Sequence, residues 1–278
     1  GIAGALPKLG AFAAIGAAAA GLYRATHPAD ARGPATADPG RARRAVDDAL
    51  LAMPDDVVHH ELPTPDGGTI HAVERGSGRP LVLLHGITLR HDVWAPQFHQ
   101  LADRYRVIAV DLRGHGRSTA GSAGYGIPRL SDDLATLLTS LDLHGAVVVG
   151  HSMGGMTVMQ FCGDHPDVLA ERVAGLVFVA TRAHQVLPPY VDRGARDLVR
   201  RGQAMLDAGR PLPARSQLGD RIVRLAFGDR PSSTAVRIVA EMGESMEPAA
   251  LVGSVGGLIE HDARAALRAT STPSMVIV

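Results

Sequence analysis

Gly145-Ala-Val-Val-Val-Gly150-His-Ser-Met-Gly-Gly155 is the stretch that decides the fold. Its first half is an unbroken apolar run with no polar alternation, the pattern of a strand buried on both faces. Its second half opens a helix predicted over residues 154–163, so Ser152 stands at the joint. A strand that turns directly into a helix forces the joint residue into a strained backbone conformation, and that conformation needs small neighbours. Gly150, Gly154 and Gly155 supply them. The turn lifts the Ser152 hydroxyl above the sheet edge. The Met153 N–H, at the helix start, then faces whatever reacts there, aided by the helix dipole.

Outward from this joint the same alternation repeats. Pro80-Leu-Val-Leu-Leu-His-Gly86, Tyr105-Arg-Val-Ile-Ala-Val-Asp111 and Val173-Ala-Gly-Leu-Val-Phe-Val179 read as further buried strands. Helices are predicted between them at 96–103 and 131–143. In the second, Leu134, Leu137, Leu138 and Leu141 share a face, and Ser131-Asp-Asp supplies an N-cap and an acidic first turn. Strand and helix alternating at this spacing define a parallel sheet with helices on both faces. Ahead of it, residues 57–62 and 69–74 form a predicted hairpin around Pro65-Asp-Gly-Gly68.

Residues 182–258 break the alternation. They are rich in Arg and Pro, with helical stretches at 191–206, 220–227 and 234–243, and read as a helical insertion whose arginines form a solvated face. A helix at 262–269 and a strand at 273–278 resume the core. The expected organisation is an apolar N-terminal segment and linker (1–53), core (54–181), helical cap (182–258) and core again (259–278).

Composition narrows the function. The 278 residues carry 28 basic and 28 acidic side chains, a balance that argues against a nucleic-acid partner. The single cysteine, Cys162, forms no intrachain disulfide and has no neighbouring thiol for a metal site. No metal and no cofactor are expected. Residues 9–23 are uncharged and rich in Ala and Gly, shorter than the roughly 20 apolar residues a membrane-spanning helix requires. They read equally as a signal-peptide core, an anchoring or surface-lying helix that would bring a membrane into contact, or a helix packed on the protein.

A second backbone donor is expected in the turn after His85. Gly86 lets the chain bend there, and Ile87 can present its N–H toward Ser152. Two amides converging on one point stabilise the oxyanion of a tetrahedral intermediate.

With these residues in place, the stretch from about Glu61 to Val278 resembles the α/β-hydrolase fold of the capped esterase and lipase type. The resemblance rests on Leu84-His-Gly-Ile87, Trp94 with its following helix, Asp111-Leu-Arg-Gly-His-Gly-Arg-Ser118 and Gly150-His-Ser-Met-Gly-Gly155. It implies that Ser152 is a nucleophile, that Ile87 and Met153 are the oxyanion amides, that 182–258 cap the pocket, and that the substrate is a small molecule. A serine at 152 argues against the dehalogenases and epoxide hydrolases of this fold, which use aspartate.

A serine hydroxyl needs an imidazole to take its proton and a carboxylate to orient that imidazole. In the family they follow the serine in the order acid, then histidine. The acid comes after the strand at 273–278 and the histidine after the last strand, so both positions fall beyond Val278. An alternative acid position after Val179 holds Ala180-Thr-Arg182. His261 precedes the last strand and is a poor substitute base, and His151 lies within the elbow. The expectation is therefore a chain that ends before the last strands of the fold and is itself inactive. Two functions fit: a serine hydrolase acting on an ester or related acyl bond, or a non-catalytic member that binds an apolar ligand or a partner. The elbow glycines and the oxyanion turn favour the first, because a pure binder needs neither.

Overall fold

The computed structural model describes residues 48–184, 189–212 and 233–278. The apolar segment at 9–23 and the helix predicted at 220–227 lie outside them. Seven strands form one mixed sheet: β1 (Val58–Pro63), β2 (Thr69–Arg75), β3 (Arg79–Leu84), β4 (Tyr105–Val110), β5 (Ala146–His151), β6 (Val173–Val179) and β7 (Ser274–Ile277). Their order is β1-β2-β4-β3-β5-β6-β7. The β1/β2 and β2/β4 pairs are antiparallel, and the other pairs are parallel.

The helices are α1 (Ala95–Leu101), α2 (Ile127–Ser140), α3 (Met153–Asp164), α4 (Pro166–Arg172), α5 (Pro189–Asp207), α6 (Ser233–Glu244), α7 (Pro248–Glu260) and α8 (Arg264–Ala269). Because side chains alternate across a strand, each central strand feeds two cores. Val82, Leu84, Ile108 and Val148 pack with α2 and α3 on one face. Leu83, Val107, Ala109 and Val149 pack with Phe98 of α1 on the other. The chain therefore leaves the adjacent strands β3 and β5 toward opposite faces. That divergence opens a crevice at the carboxyl ends of the two strands, the place where open α/β sheets bind ligands.

Two helices depart from the sequence reading. Helix α2 begins at Ile127 rather than Ser131, with Gly126 as the extended N-cap residue and Pro128 in the first turn. Proline's fixed φ suits that position, and its missing N–H is not needed there. Ser131 and Asp133 are consequently buried mid-helix, and Asp133 bonds the Arg113 guanidinium at 2.7 Å. Helix α7 is absent from the sequence reading because Gly253, Gly256 and Gly257 depress helix propensity. The fold uses two of these glycines for close approach. A β-carbon at 253 would lie 2.8 Å from Tyr125 Cβ, and one at 257 would lie 3.1 Å from the Ile127 nitrogen. Helix α7 thereby seats the segment after β6 onto the start of α2.

Candidate active site

Ser152 occupies the joint between β5 and α3 with φ 51° and ψ −115°, in the positive-φ region that L-residues avoid. Backbone bonds on both sides hold it there. Its N–H donates to the Val179 carbonyl at 3.0 Å, and its carbonyl accepts from the Met156 N–H at 3.1 Å and from the Thr181 hydroxyl at 2.7 Å. Thr181 lies at the alternative acid position weighed above and fastens the elbow instead. No room exists for larger elbow residues. A β-carbon on Gly154 would stand 2.7 Å from the His85 oxygen, and one on Gly155 would stand 2.5 Å from Thr181 Cγ2. Among the described residues the Ser152 hydroxyl has no hydrogen-bond partner.

The turn after β3 lies against the elbow. A β-carbon on Gly86 would sit 3.2 Å from Ser152 Cβ and 3.0 Å from His151 Nδ1. Ile87, the next residue, is half-buried, and its N–H has no acceptor among the described residues. The Met153 N–H starts α3 and so lacks an intrahelical acceptor. Ser152, Ile87 and Met153 thus belong to two backbone segments in contact at one point of the crevice. Ile87, like Val199 and Leu251, packs against the buried cluster of Ala195, Val255 and Ile259, so that α5 and α7 set an apolar wall beside the turn.

The loop 111–118 is tied to the site through a buried carboxylate. Asp111 accepts from His71 Nδ1 at 2.8 Å, His91 Nδ1 at 3.0 Å, the His91 N–H at 2.8 Å and the Arg117 N–H at 3.0 Å. Burial opposes its ionisation, but the bonds from His71 and His91 outweigh burial and hold its pKa far below the ordinary carboxylate range. The donor atoms of His71, His91 and Asp111 lie within 4.8 Å of one another, a spacing that could hold a metal ion. Each of the three is already engaged in the bonds just given, and the grouping is accounted for as a hydrogen-bonded anchor of the segment 86–91. Sequence reasoning missed His71 and His91, which come from β2 and from the turn His91–Trp94.

No imidazole bonds to Ser152 among the described residues. Burial lowers the pKa of His151, whose ring faces Gly86. His261 is 5% exposed, and both of its ring nitrogens lack hydrogen-bond partners among the described residues. Arg196, Arg200 and Arg237 of α5 and α6 are exposed and paired with acids: Arg196 with Asp192 at 2.9 Å, Arg237 with Glu241 at 2.8 Å, and Arg200 with Asp197. No described helix is long and apolar enough to cross a membrane.

The sheet order, the elbow and the adjoining glycine turn define an α/β hydrolase, and residues 79–277 match the α/β hydrolase fold family. The chain belongs to that family. It is 45% identical over 103 residues to a non-heme chloroperoxidase from Kitasatospora aureofaciens, covering 37% of this chain and 38% of the relative. It is 32% identical over 175 residues to 2-(acetamidomethylene)succinate hydrolase from Mesorhizobium japonicum, covering 63% and 58%. It thus spans between about two fifths and three fifths of these curated relatives. Among solved structures, a thermophilic esterase from Thermogutta terrifontis superposes with a TM-score of 0.64 at 26% identity, covering 79% of each chain.

Proposed function

We propose that the protein cleaves an ester or a related acyl bond of a small, largely apolar substrate through an acyl-enzyme on Ser152. The observation that carries the proposal is the strained serine at φ 51°, its hydroxyl unbonded among the described residues and the Gly86 turn against it. Strain of this kind costs roughly 1–3 kcal/mol and persists where the surroundings enforce it. A binding protein would have no use for it. In this reading the serine oxygen attacks the carbonyl carbon, the amides of Ile87 and Met153 receive the developing oxyanion, and the leaving group departs with the serine's proton. Water then hydrolyses the acyl-enzyme by the same steps. The apolar wall of α5 and α7 favours an apolar acyl or alcohol group. The imidazole that accepts the proton, and its carboxylate, come from outside the described residues.

The test is labelling by a fluorophosphonate, which phosphonylates an activated serine. The protein in its complete form is expected to label, and the Ser152→Ala variant is not. Labelling that survives the substitution would remove Ser152 as nucleophile.

A further inference from the structure

The oxyanion turn is gripped by two buried histidines, neither of which hydrogen-bonds Ser152 among the described residues. His85, at the end of β3, points its Nδ1 at the Gly86 carbonyl at 2.7 Å, while its Nε2 meets the Leu112 N–H at 3.0 Å. A carbonyl only accepts and an N–H only donates, so His85 is neutral, with its proton on Nδ1. His115 has the same form. Its Nδ1 meets the Arg113 carbonyl at 3.1 Å, and its Nε2 meets the Thr88 N–H at 3.3 Å. The two rings lie 5.1 Å apart. Each strand-end loop therefore lends a histidine that accepts from an N–H of the other loop, and the imidazoles cross.

These bonds fall on the two peptide units flanking Ile87. The peptide joining Gly86 and Ile87 is trans, so its N–H points opposite to its C=O. With the C=O drawn to His85, the Ile87 N–H is aimed the opposite way, away from the buried imidazole. The next peptide, joining Ile87 and Thr88, is held through its N–H by His115. Thr88 has φ 63°, unfavourable for a β-branched residue; the Leu89 N–H closes the turn onto the Gly86 carbonyl at 3.2 Å, and His115 adds a hold from outside it.

We propose that His85 and His115 are positioning residues that together fix the direction of the Ile87 oxyanion amide. The proposal rests on the reading of Ser152 as nucleophile. Its signature is a substitution pattern that runs in opposite senses at the two sites. An Asn amide reaches about as far as Nδ1 and a Gln amide about as far as Nε2. At position 115 the bond that matters is the Nε2 acceptor for Thr88, so Gln is the conservative replacement and Asn is not. At position 85 it is the Nδ1 donor to Gly86, so Asn is conservative and Gln is not.

The experiment measures kcat and KM of the complete protein on a short-chain 4-nitrophenyl ester, with folding of each variant checked by circular dichroism. His115→Asn and His85→Gln are each expected to lower kcat about 100-fold with KM nearly constant, the scale of a misaimed catalytic group. His115→Gln and His85→Asn should lose at least tenfold less than their counterparts. Equal losses from Asn and Gln at either position, or losses confined to KM, would overturn the proposal. If a variant does not fold, nitrogen-15 NMR of the wild-type rings decides: a proton on Nε2 of either histidine overturns the proposal, and protons on both Nδ1 atoms support it. A wild-type protein that neither labels at Ser152 nor turns over would overturn the nucleophile reading itself. An active wild type whose variants fail to separate would overturn only the positioning.

Discussion

A β-carbon on Gly150 would stand 2.5 Å from the carbonyl oxygen of Gly154. The last turn of β5 and the first turn of α3 are thus in backbone contact, and the serine between them is squeezed into its positive φ. Backbone cannot yield as a flexible side chain can. Gly150→Ala is expected to destabilise the protein by about 2–3 kcal/mol, the upper range for overpacking. A urea titration measures this. A shift of only a few tenths of a kcal/mol would mean that the elbow is looser than described.

Relieving the strain at the joint should do the reverse. Ser152→Gly removes the β-carbon that makes φ 51° unfavourable. It is expected to raise stability by about 1 kcal/mol while abolishing fluorophosphonate labelling. An unchanged or lowered urea midpoint would contradict stored strain at this residue.

Arg113 is buried between two carboxylates, Asp133 at 2.7 Å and Asp66 at 2.5 Å. Burial opposes its charge, but the two carboxylates outweigh burial and raise its pKa. Arg113→Met strands the buried Asp133 carboxylate, and removing one partner of a buried pair costs about 3–5 kcal/mol. Burial already raises the Asp133 pKa, so protonation should neutralise the stranded group as pH falls. The loss is expected to be larger at pH 7 than at pH 5, and denaturation at both values checks it.

His85 makes stability depend on pH with a defined sign. Burial, then the neighbouring His115, lowers its pKa from the ordinary 6.5 to about 3. Between these values the unfolded chain binds the proton and the folded chain does not, so stability rises with pH. The contribution is complete above about pH 6.5 and is lost as pH falls toward 3. Proton uptake on unfolding at pH 5 should be lower by about one in His85→Asn than in the wild type. Equal uptake would mean that His85 is protonated in the folded state.

What the sequence disclosed, and what it concealed, follow from the range of the interactions. The β5 strand, Ser152 and the elbow glycines lie within ten residues, so their strand–turn–helix character could be read directly. The strands of the parallel sheet were legible for the same reason: each is a short apolar run bounded by turn residues. Helix α7 was concealed because its glycines are chosen for contact with Tyr125 and Ile127, and propensity carries no trace of a distant partner. The start of α2 was misplaced because Ser131-Asp-Asp resembles a cap, while Asp133 is committed to Arg113. The anchor at Asp111 joins His71, 40 positions away, to His91, 20 positions away. Nothing local marks either histidine as its partner.

The most direct test of the account is to treat the complete protein with a fluorophosphonate, digest it and locate the adduct by mass spectrometry. The account expects a single phosphonylated site at Ser152, on the peptide carrying Gly150-His-Ser-Met-Gly154. An unmodified protein, or an adduct on any other residue, would contradict it.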